Sequence, residues 1–336
     1  MPIRYPPSLD LALRPTPIVR LERLSRRLPV EVFVKRDDRT GLVRTGNKIR
    51  KLEFLLAEAK ASGAGTILTC GGVQSNHART VAAAAAALGM RSRLLLRGPA
   101  DSPRTGNLLL DRLFGAEILF IDLATWRRVD EALEEEANTV RRAGGKPYVI
   151  PEGGSNALGS LGYARAVEEI SEWSKREGVR FRAIVHATGS GGTTAGLVLG
   201  RAASGLEAEI LGMAVCDDEA FFRARVDAIL ADACERFAPG LPISPSDYAI
   251  LDAYKGIGYA LSTPEELRFL RDVATEEGLV LDPVYTGKAF RGLLGEIEKG
   301  RFERGAKVLF VHTGGVFGLF APGHDFASAL ALPPGR

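Results

Sequence analysis

The sequence predicts an α/β protein of two domains, each an open, mostly parallel twisted sheet flanked by helices. Three observations lead there. Strand-like apolar runs alternate with helical patterns through most of the chain, and such alternation favours parallel strands covered by helices. The length of 336 residues, with 46% hydrophobic and 25% charged residues, allows a large core and more than one domain. A stretch dense in small and turn-forming residues, Pro151-Glu152-Gly153-Gly154-Ser155-Asn156-Ala157-Leu158-Gly159, marks a place where the chain crosses between domains or lines a cleft. The expected division is a small domain over 51–155 and a large one built from 1–50 plus 156–336.

Taken in order, Glu31-Val32-Phe33-Val34-Lys35 is the first strand, and Ile49 to Lys60 is a helix with apolar residues at 49, 52, 55, 56 and 59. Thr66 to Thr69 is a buried strand, Ala78 to Leu88 an alanine-rich helix, and Ser92 to Leu96 a strand. Six consecutive alanines, Ala82 to Ala87, suit close helix packing because alanine is small and the best helix former. A helix near Thr105 to Phe114, a strand from Glu117 to Ile121, a charged helix from about Thr125 to Ala143 and a strand over Pro147 to Ile150 follow. Beyond the turn-rich stretch come a helix from Gly162 to Glu177, a strand over Ala183 to His186, a helix after Thr193 and a strand from Glu209 to Val215. The region from Asp217 to Pro264 mixes helix with loop and shows no strand; helices over Pro264 to Glu277 and Lys288 to Lys299 and a strand over Lys307 to Val311 complete the pattern.

Net charge is only +3, with basic residues scattered among acidic ones, which gives no electrostatic basis for nucleic acid or an anionic membrane as partner. The start, Met1-Pro2-Ile3-Arg4-Tyr5-Pro6-Pro7, lacks the apolar core of a secretory signal, and no apolar run approaches the ~18 residues of a membrane span, so a cytoplasmic protein is expected. Cys70, Cys216 and Cys234 are odd in number and irregularly spaced, which fits a reducing compartment and no disulfide framework. They do not pair with the four histidines at zinc-ligand spacing, and no metal is expected.

Lysines number 10 against 34 arginines, and one of them stands out. Lys48, in Thr45-Gly46-Asn47-Lys48-Ile49-Arg50-Lys51-Leu52-Glu53-Phe54, opens a helical pattern directly after a turn, so its amine can point into a cleft. A lysine held there can serve as a Schiff-base nucleophile. The loop Thr188-Gly189-Ser190-Gly191-Gly192-Thr193-Thr194 follows a buried strand and precedes a helix, a geometry that directs backbone N–H groups and the positive end of the helix dipole at an anion. It is neither a dinucleotide fingerprint, whose third glycine would fall at Thr194, nor a P-loop, which needs a following Gly-Lys-Ser/Thr. Its hydroxyls favour a phosphate monoester. A phosphate cup and a poised amine are together what pyridoxal 5'-phosphate requires.

With Gly71-Gly72-Val73-Gln74-Ser75-Asn76-His77, Asp282-Pro283-Val284-Tyr285-Thr286-Gly287-Lys288 and Val311-His312-Thr313-Gly314-Gly315, the chain resembles the fold-type II pyridoxal-phosphate enzymes, which are tryptophan synthase β-like. Within them it is similar to the branch holding D-cysteine desulfhydrase and 1-aminocyclopropane-1-carboxylate (ACC) deaminase. The resemblance covers roughly Glu31 to Phe320. It implies that Lys48 forms the imine with the cofactor aldehyde, that Asn76 lies beside the cofactor's 3'-oxygen, and that Ser75 with neighbouring amides, His77 included, receives the substrate carboxylate. Ser75 also reads as a helix cap, and a helix start is itself an anion receptor. Tyr259 and Tyr285 match tyrosines that face the substrate, and Thr313 the hydroxyl residue that meets the pyridine nitrogen.

A neutral hydroxyl there leaves the ring a weaker electron sink than a carboxylate would, which suits β-elimination of a good leaving group. Where the ACC deaminases carry glutamate after the motif tyrosine, this chain has Thr286, which favours the desulfhydrase reading. The expected reaction converts D-cysteine and water to pyruvate, hydrogen sulfide and ammonia, with Lys48 as the base. ACC, D-serine, 3-chloro-D-alanine and L-cysteate remain alternative substrates; a non-catalytic binder of the cofactor and a module binding some other phosphate ligand are the readings outside enzymology. A small amino acid is the expected ligand and a homodimer the expected assembly.

Overall fold

The computed structural model describes residues 2–324 and 326. Strand β1 (Ile18–Arg20) and helix α1 (Glu22–Arg27) precede β2 (Glu31–Lys35). Helix α2 (Asn47–Ala61) leads into β3 (Thr66–Gly72), α3 (Asn76–Ala87), β4 (Arg91–Arg97), α4 (Gly106–Leu113) and β5 (Glu117–Ile121). Two helices, α5 (Leu123–Trp126) and α6 (Val129–Arg142), come before β6 (Pro147–Val149). The second run comprises α7 (Ala157–Glu177), β7 (Ala183–Thr188), α8 (Gly192–Ser204), β8 (Glu209–Ala214), α9 (Glu219–Phe237) and β9 (Tyr248–Leu251). It closes with α10 (Pro264–Glu277), α11 (Thr286–Glu298) and β10 (Lys307–Val311).

These strands form two sheets. The larger has the order β1-β2-β10-β7-β8-β9 and the smaller β5-β4-β3-β6. Every pairing is parallel except β1 against β2. Strand β7 is buried along its whole length, as a central parallel strand covered on both faces must be. Apolar side chains of α10 and α11 cover one face of the large sheet. On its other face a single core runs from α7 and α8 to Leu52, Leu55 and Leu56 of α2 and to Ile67 and Val81 of the small sheet and its helix, so the two sheets share one apolar filling. That filling fixes the cleft between their strand ends.

Departures from the sequence reading have local causes. The expected helix over 125–143 is broken at Arg127–Arg128, because Asp122 caps a short helix of its own by accepting from Thr125 N at 2.8 Å. Helix α7 begins five residues before Gly162: Asn156 Oδ1 accepts from Gly159 N at 2.8 Å, and Gly159, which read as a turn residue, lies inside the helix with Gly162. They are there for packing. A Cβ at Gly162 would overlap the backbone of Arg50, and one at Gly196 in α8 would overlap the Ser160 carbonyl and come to 2.6 Å from Tyr163 Cβ.

The region 217–264, expected to be mixed and strandless, holds the 19-residue α9 and the edge strand β9. The helix buries Phe222, Val226, Ile229, Leu230, Ala233 and Phe237, a helical spacing interrupted in sequence by charged residues that face outward. Strands β1 and β9 are three and four residues long at the sheet's two edges, too short for alternation to announce them. Among the described residues no helix is long and apolar enough to cross a membrane, and no group of three His, Cys, Asp or Glu is placed to hold a metal ion.

Candidate active site

A cleft opens at the carboxyl ends of β3, β7 and β10, where open parallel sheets bind ligands. Strand β3 runs on to Gly72, three residues beyond the expected end, and carries Gly71 and Gly72 to the cavity wall. Lys48, Ser75, Asn76, His77, Tyr259, Tyr285 and Thr313 all line it, together with Thr188, Gly189, Ser190, Gly191 and Thr193 of the glycine loop. Residues more than 200 positions apart in sequence thus converge on one space. Gly192 is the exception. It lies behind the wall, where a Cβ would come to 2.6 Å from Ser155 Oγ and 2.9 Å from Lys51 Nζ.

Lys48 sits in the first turn of α2, directly after Gly46, whose φ of +100° only glycine adopts readily and whose missing Cβ lets the chain pass the Thr313 carbonyl. That carbonyl accepts from Asn47 N at 3.0 Å, tying the helix start to the end of β10. Burial pulls the Lys48 ammonium down to about 8, while the nearby Glu152 carboxylate pulls the other way. Glu152 itself, raised by burial, has Arg225 at 3.6 Å. Gly153, at φ +67°, leaves the space in which Lys48 Nζ and Ser190 Oγ stand; an added Cβ there would be 3.2 Å from the amine.

The glycine loop forms a cup. Gly191 precedes α8 with φ +84° and offers no side-chain cap, so the first N–H groups of that helix face the loop; among the described residues only Gly192 N is engaged, by Ser155 Oγ at 3.3 Å. Hydroxyls bind the cup together: Thr188 to Thr194 at 2.9 Å, Ser190 to Ser155 at 2.8 Å, and Asn47 Nδ2 donating to Thr193 at 3.1 Å. Behind it Lys51, only 1% exposed, donates to Gly153 O and Ser155 Oγ, both at 3.1 Å. Burial, then Lys48 and Arg225, hold its ammonium well below 10.5. A buried cation with neutral acceptors only, set beside uncapped N–H groups, is a site short of an anion. A phosphate fits it, and the Lys48 amine lines the same cavity, where an aldehyde on the same molecule would meet it.

Ser75 caps α3, its Oγ accepting from Ala78 N at 3.2 Å, so the anion receptor at this end consists of the helix's own first amides. His77 is 3% exposed and engages Thr69 Oγ1 through Nε2 at 2.8 Å; burial, then Lys48 and Lys51, keep its imidazole neutral. The Tyr259 and Tyr285 hydroxyls meet at 2.7 Å, their rings edge to face. Burial raises the Tyr259 phenol to about 12 and Tyr285 well above 10, so both keep their protons at neutral pH. Asp282 aims Tyr285. Its carboxylate accepts from the backbone N–H of Val284, Tyr285 and Thr286 and from Thr286 Oγ1, which turns the Thr286 side chain away from the cavity.

Sequence reasoning missed Asn47, Lys51, Glu152, Gly153, Ser155 and Gly314. Lys51 carried a signal, being one helical turn from Lys48 on the same face; Glu152 and Gly153 followed a predicted strand and so stood at a strand's carboxyl end.

Residues 9–314 match the family model described as pyridoxal-phosphate dependent enzyme. The chain belongs to that family. It is 44% identical over 314 residues to a putative ACC deaminase of Thermotoga maritima, covering 93% of this chain and 97% of the relative. It is 42% identical to a D-cysteine desulfhydrase of Klebsiella pneumoniae, covering 94% and 96%, and 41% identical to a mitochondrial bifunctional D-cysteine desulfhydrase/ACC deaminase of Arabidopsis thaliana, covering 96% and 82%. The crystal structure of an ACC deaminase homologue, 41% identical, superposes with a TM-score of 0.88 over 96% of each chain. Within the pyridoxal-phosphate enzymes, then, the chain is a member of the ACC deaminase and D-cysteine desulfhydrase family. A threonine deaminase structure at 22% identity, TM-score 0.63, shares the fold.

Proposed function

We propose that the chain is a β-elimination lyase acting on D-cysteine, releasing pyruvate, hydrogen sulfide and ammonia with the uptake of one water. The cofactor, when bound, supplies an electron sink for the charge that develops at the substrate's Cα. The protein supplies the rest. Backbone amides at the start of α3, around Ser75 and Asn76, would receive the substrate carboxylate, and the glycine loop would hold the phosphate, with the charge of Lys51 behind its wall. Lys48 would hold the cofactor's aldehyde, and its Nζ, once free, would take the proton from the substrate's Cα. The protonated Tyr259–Tyr285 pair faces the departing sulfur and can donate to it. Thr313 offers a neutral hydroxyl, and no carboxylate, to the ring nitrogen.

The observation that carries this reading is the placement of Thr286. It is fully buried and bonded to Asp282, so the position after Tyr285 brings no carboxylate to the cavity for the heavier task of opening a cyclopropane ring. ACC deamination is the second reading, favoured by the names of the Thermotoga and Arabidopsis relatives. Hydrogen sulfide release from D-cysteine is to be compared with 2-oxobutanoate release from ACC; faster turnover of ACC would reverse the ranking. The division into units 51–155 and 1–50 plus 156–336 belongs to the same proposal, supported by the four strands of the smaller sheet all lying between 66 and 149. A homodimer is the proposed assembly, to be tested by light scattering.

A further inference from the structure

Arg79 is fully buried in α3, three residues past Asn76, and makes no ion pair among the described residues, Asp111 acting on it only through space. A guanidinium has donors only, so every oxygen it touches is fixed as an acceptor. Its Nε donates to Asn107 Oδ1 at 3.1 Å. That fixes the Asn107 amide: the Nδ2 end faces the other way and donates to Gln74 O at 2.9 Å and Asn76 Oδ1 at 3.1 Å. Asn76 Oδ1 also faces Arg79 Nη2 at 3.4 Å. With its oxygen held from behind by two donors, Asn76 has only its NH₂ end left to present to the cavity it lines.

The other arm of the guanidinium reaches a second part of the site. Nη1 donates to the carbonyls of Val43 and, at 3.2 Å, Thr45, in the turn that delivers Lys48. Gln74 completes the frame: its Oε1 accepts from Asn107 N at 2.9 Å and its Nε2 donates to Thr105 O at 3.1 Å, which fastens the start of α4 to the turn before α3.

We propose that Arg79 and Asn107 are positioning residues: through a one-way chain of donors they fix Asn76 as a hydrogen-bond donor to the cofactor's ring oxygen, while Arg79 pins the turn that carries Lys48. The proposal rests on the reading that Asn76 faces the cofactor ring. Neither link can reverse, because an arginine cannot accept, and a turned Asn107 would set an NH₂ group against guanidinium N–H donors. One polarity is therefore imposed on the whole row. Asn107 comes from a different helix than Asn76 and is not among the residues lining the cleft, so its effect on the cofactor is expected to pass through Asn76.

The test is a double-mutant cycle on cofactor binding. Asn107→Asp replaces the nearer donor to Asn76 Oδ1 by an acceptor and leaves the longer Arg79 Nη2 contact at 3.4 Å, so Asn76 should turn its oxygen to the cavity. Apoprotein titrated with pyridoxal 5'-phosphate should bind it about 10–100-fold more weakly, the loss expected when a charge-assisted donor becomes an acceptor. The pH midpoint of the visible band of the lysine-bound cofactor should shift in the same direction as in Asn76→Ala. In the Asn76→Ala background, Asn107→Asp should add nothing, since distant groups that act through one residue are not additive. Thermal unfolding of each apoprotein separates this from a folding defect, and Asn107→Leu is the companion variant if Asn107→Asp does not fold. Losses that multiply in the double variant, or a sensitive Asn76→Ala beside an inert Asn107→Asp, overturn the relay. An inert Asn76→Ala overturns the placement of Asn76 at the cofactor as well.

Discussion

Replacing Lys51 by methionine should move apoprotein stability and cofactor affinity in opposite directions. Its ammonium is buried with two neutral acceptors, Gly153 O and Ser155 Oγ, and Lys48 and Arg225 add like charge. Without a phosphate, that uncompensated cation costs the fold; methionine fills a similar volume without charge, and the apoprotein should gain about 1–3 kcal/mol. Thermal unfolding should show this as a rise of roughly 2–6 °C. We expect a phosphate bound in the cup to give this charge its counter-ion, a charge-assisted interaction worth about 1.5–3 kcal/mol, so the variant should bind the cofactor about 10–150-fold more weakly.

The pH dependence follows with its own sign. Because Lys51 in the fold lies below 10.5, the unfolded chain binds the extra proton between the folded value and 10.5, and apoprotein stability should climb with pH across that interval. The methionine variant should lose that slope. A variant whose apoprotein melts lower and whose cofactor affinity is unchanged would refute the assignment of Lys51 to the phosphate cup.

Free amine, not ammonium, attacks an aldehyde, so the rate at which apoprotein takes up pyridoxal 5'-phosphate should rise through pH 8, the value to which burial brings Lys48, and not through 10.5; stopped-flow absorbance measures it. Burial raises the Asp111 carboxyl to about 8, and neither of its oxygens has a hydrogen-bond partner among the described residues, so the fold binds a proton that the unfolded chain releases near 4. Stability therefore falls as pH rises from about 4 to 8, and Asp111→Asn should stabilise by about 1–3 kcal/mol at pH 7 and by less at pH 5, read by denaturant melts. Gly196→Ala should cost about 1–3 kcal/mol or more, because its Cβ meets the Ser160 carbonyl and Tyr163 Cβ across the α7–α8 contact; a neutral effect in the same melts would contradict that packing.

Much of the fold was legible because buried parallel strands and their covering helices leave strong periodic marks, as in Glu31–Lys35, Lys307–Val311 and the apolar face of α2. What escaped had weak or misleading marks. Strands β1 and β9 owe their state to pairing at a sheet edge and not to their own three or four residues. Gly159 read as a turn residue and Gly162 as the helix start, yet both lie inside the helix, where tertiary contact with Gly154 and Arg50 requires their lack of a side chain. In the site, residue types with one chemical meaning were easier than residues with several. Lys48 and the glycine loop announced an amine and an anion cup; Ser155, Asn107 and Asp282 are polar residues of a kind found in every loop, and only three-dimensional donors and acceptors give them roles. Gly192 belonged to the motif but supports the cup from behind, since a spacing cannot tell which side of a loop faces the ligand.

The central claim is that Lys48, and not its buried neighbour Lys51, carries the cofactor: Lys48 lines the cavity, whereas the Lys51 amine is engaged by Gly153 and Ser155. Borohydride reduction of the holoprotein followed by peptide mass spectrometry tests it directly. The phosphopyridoxyl mass should be found on Lys48 alone, and its appearance on Lys51 or Lys288, or on no lysine at all, would contradict the account.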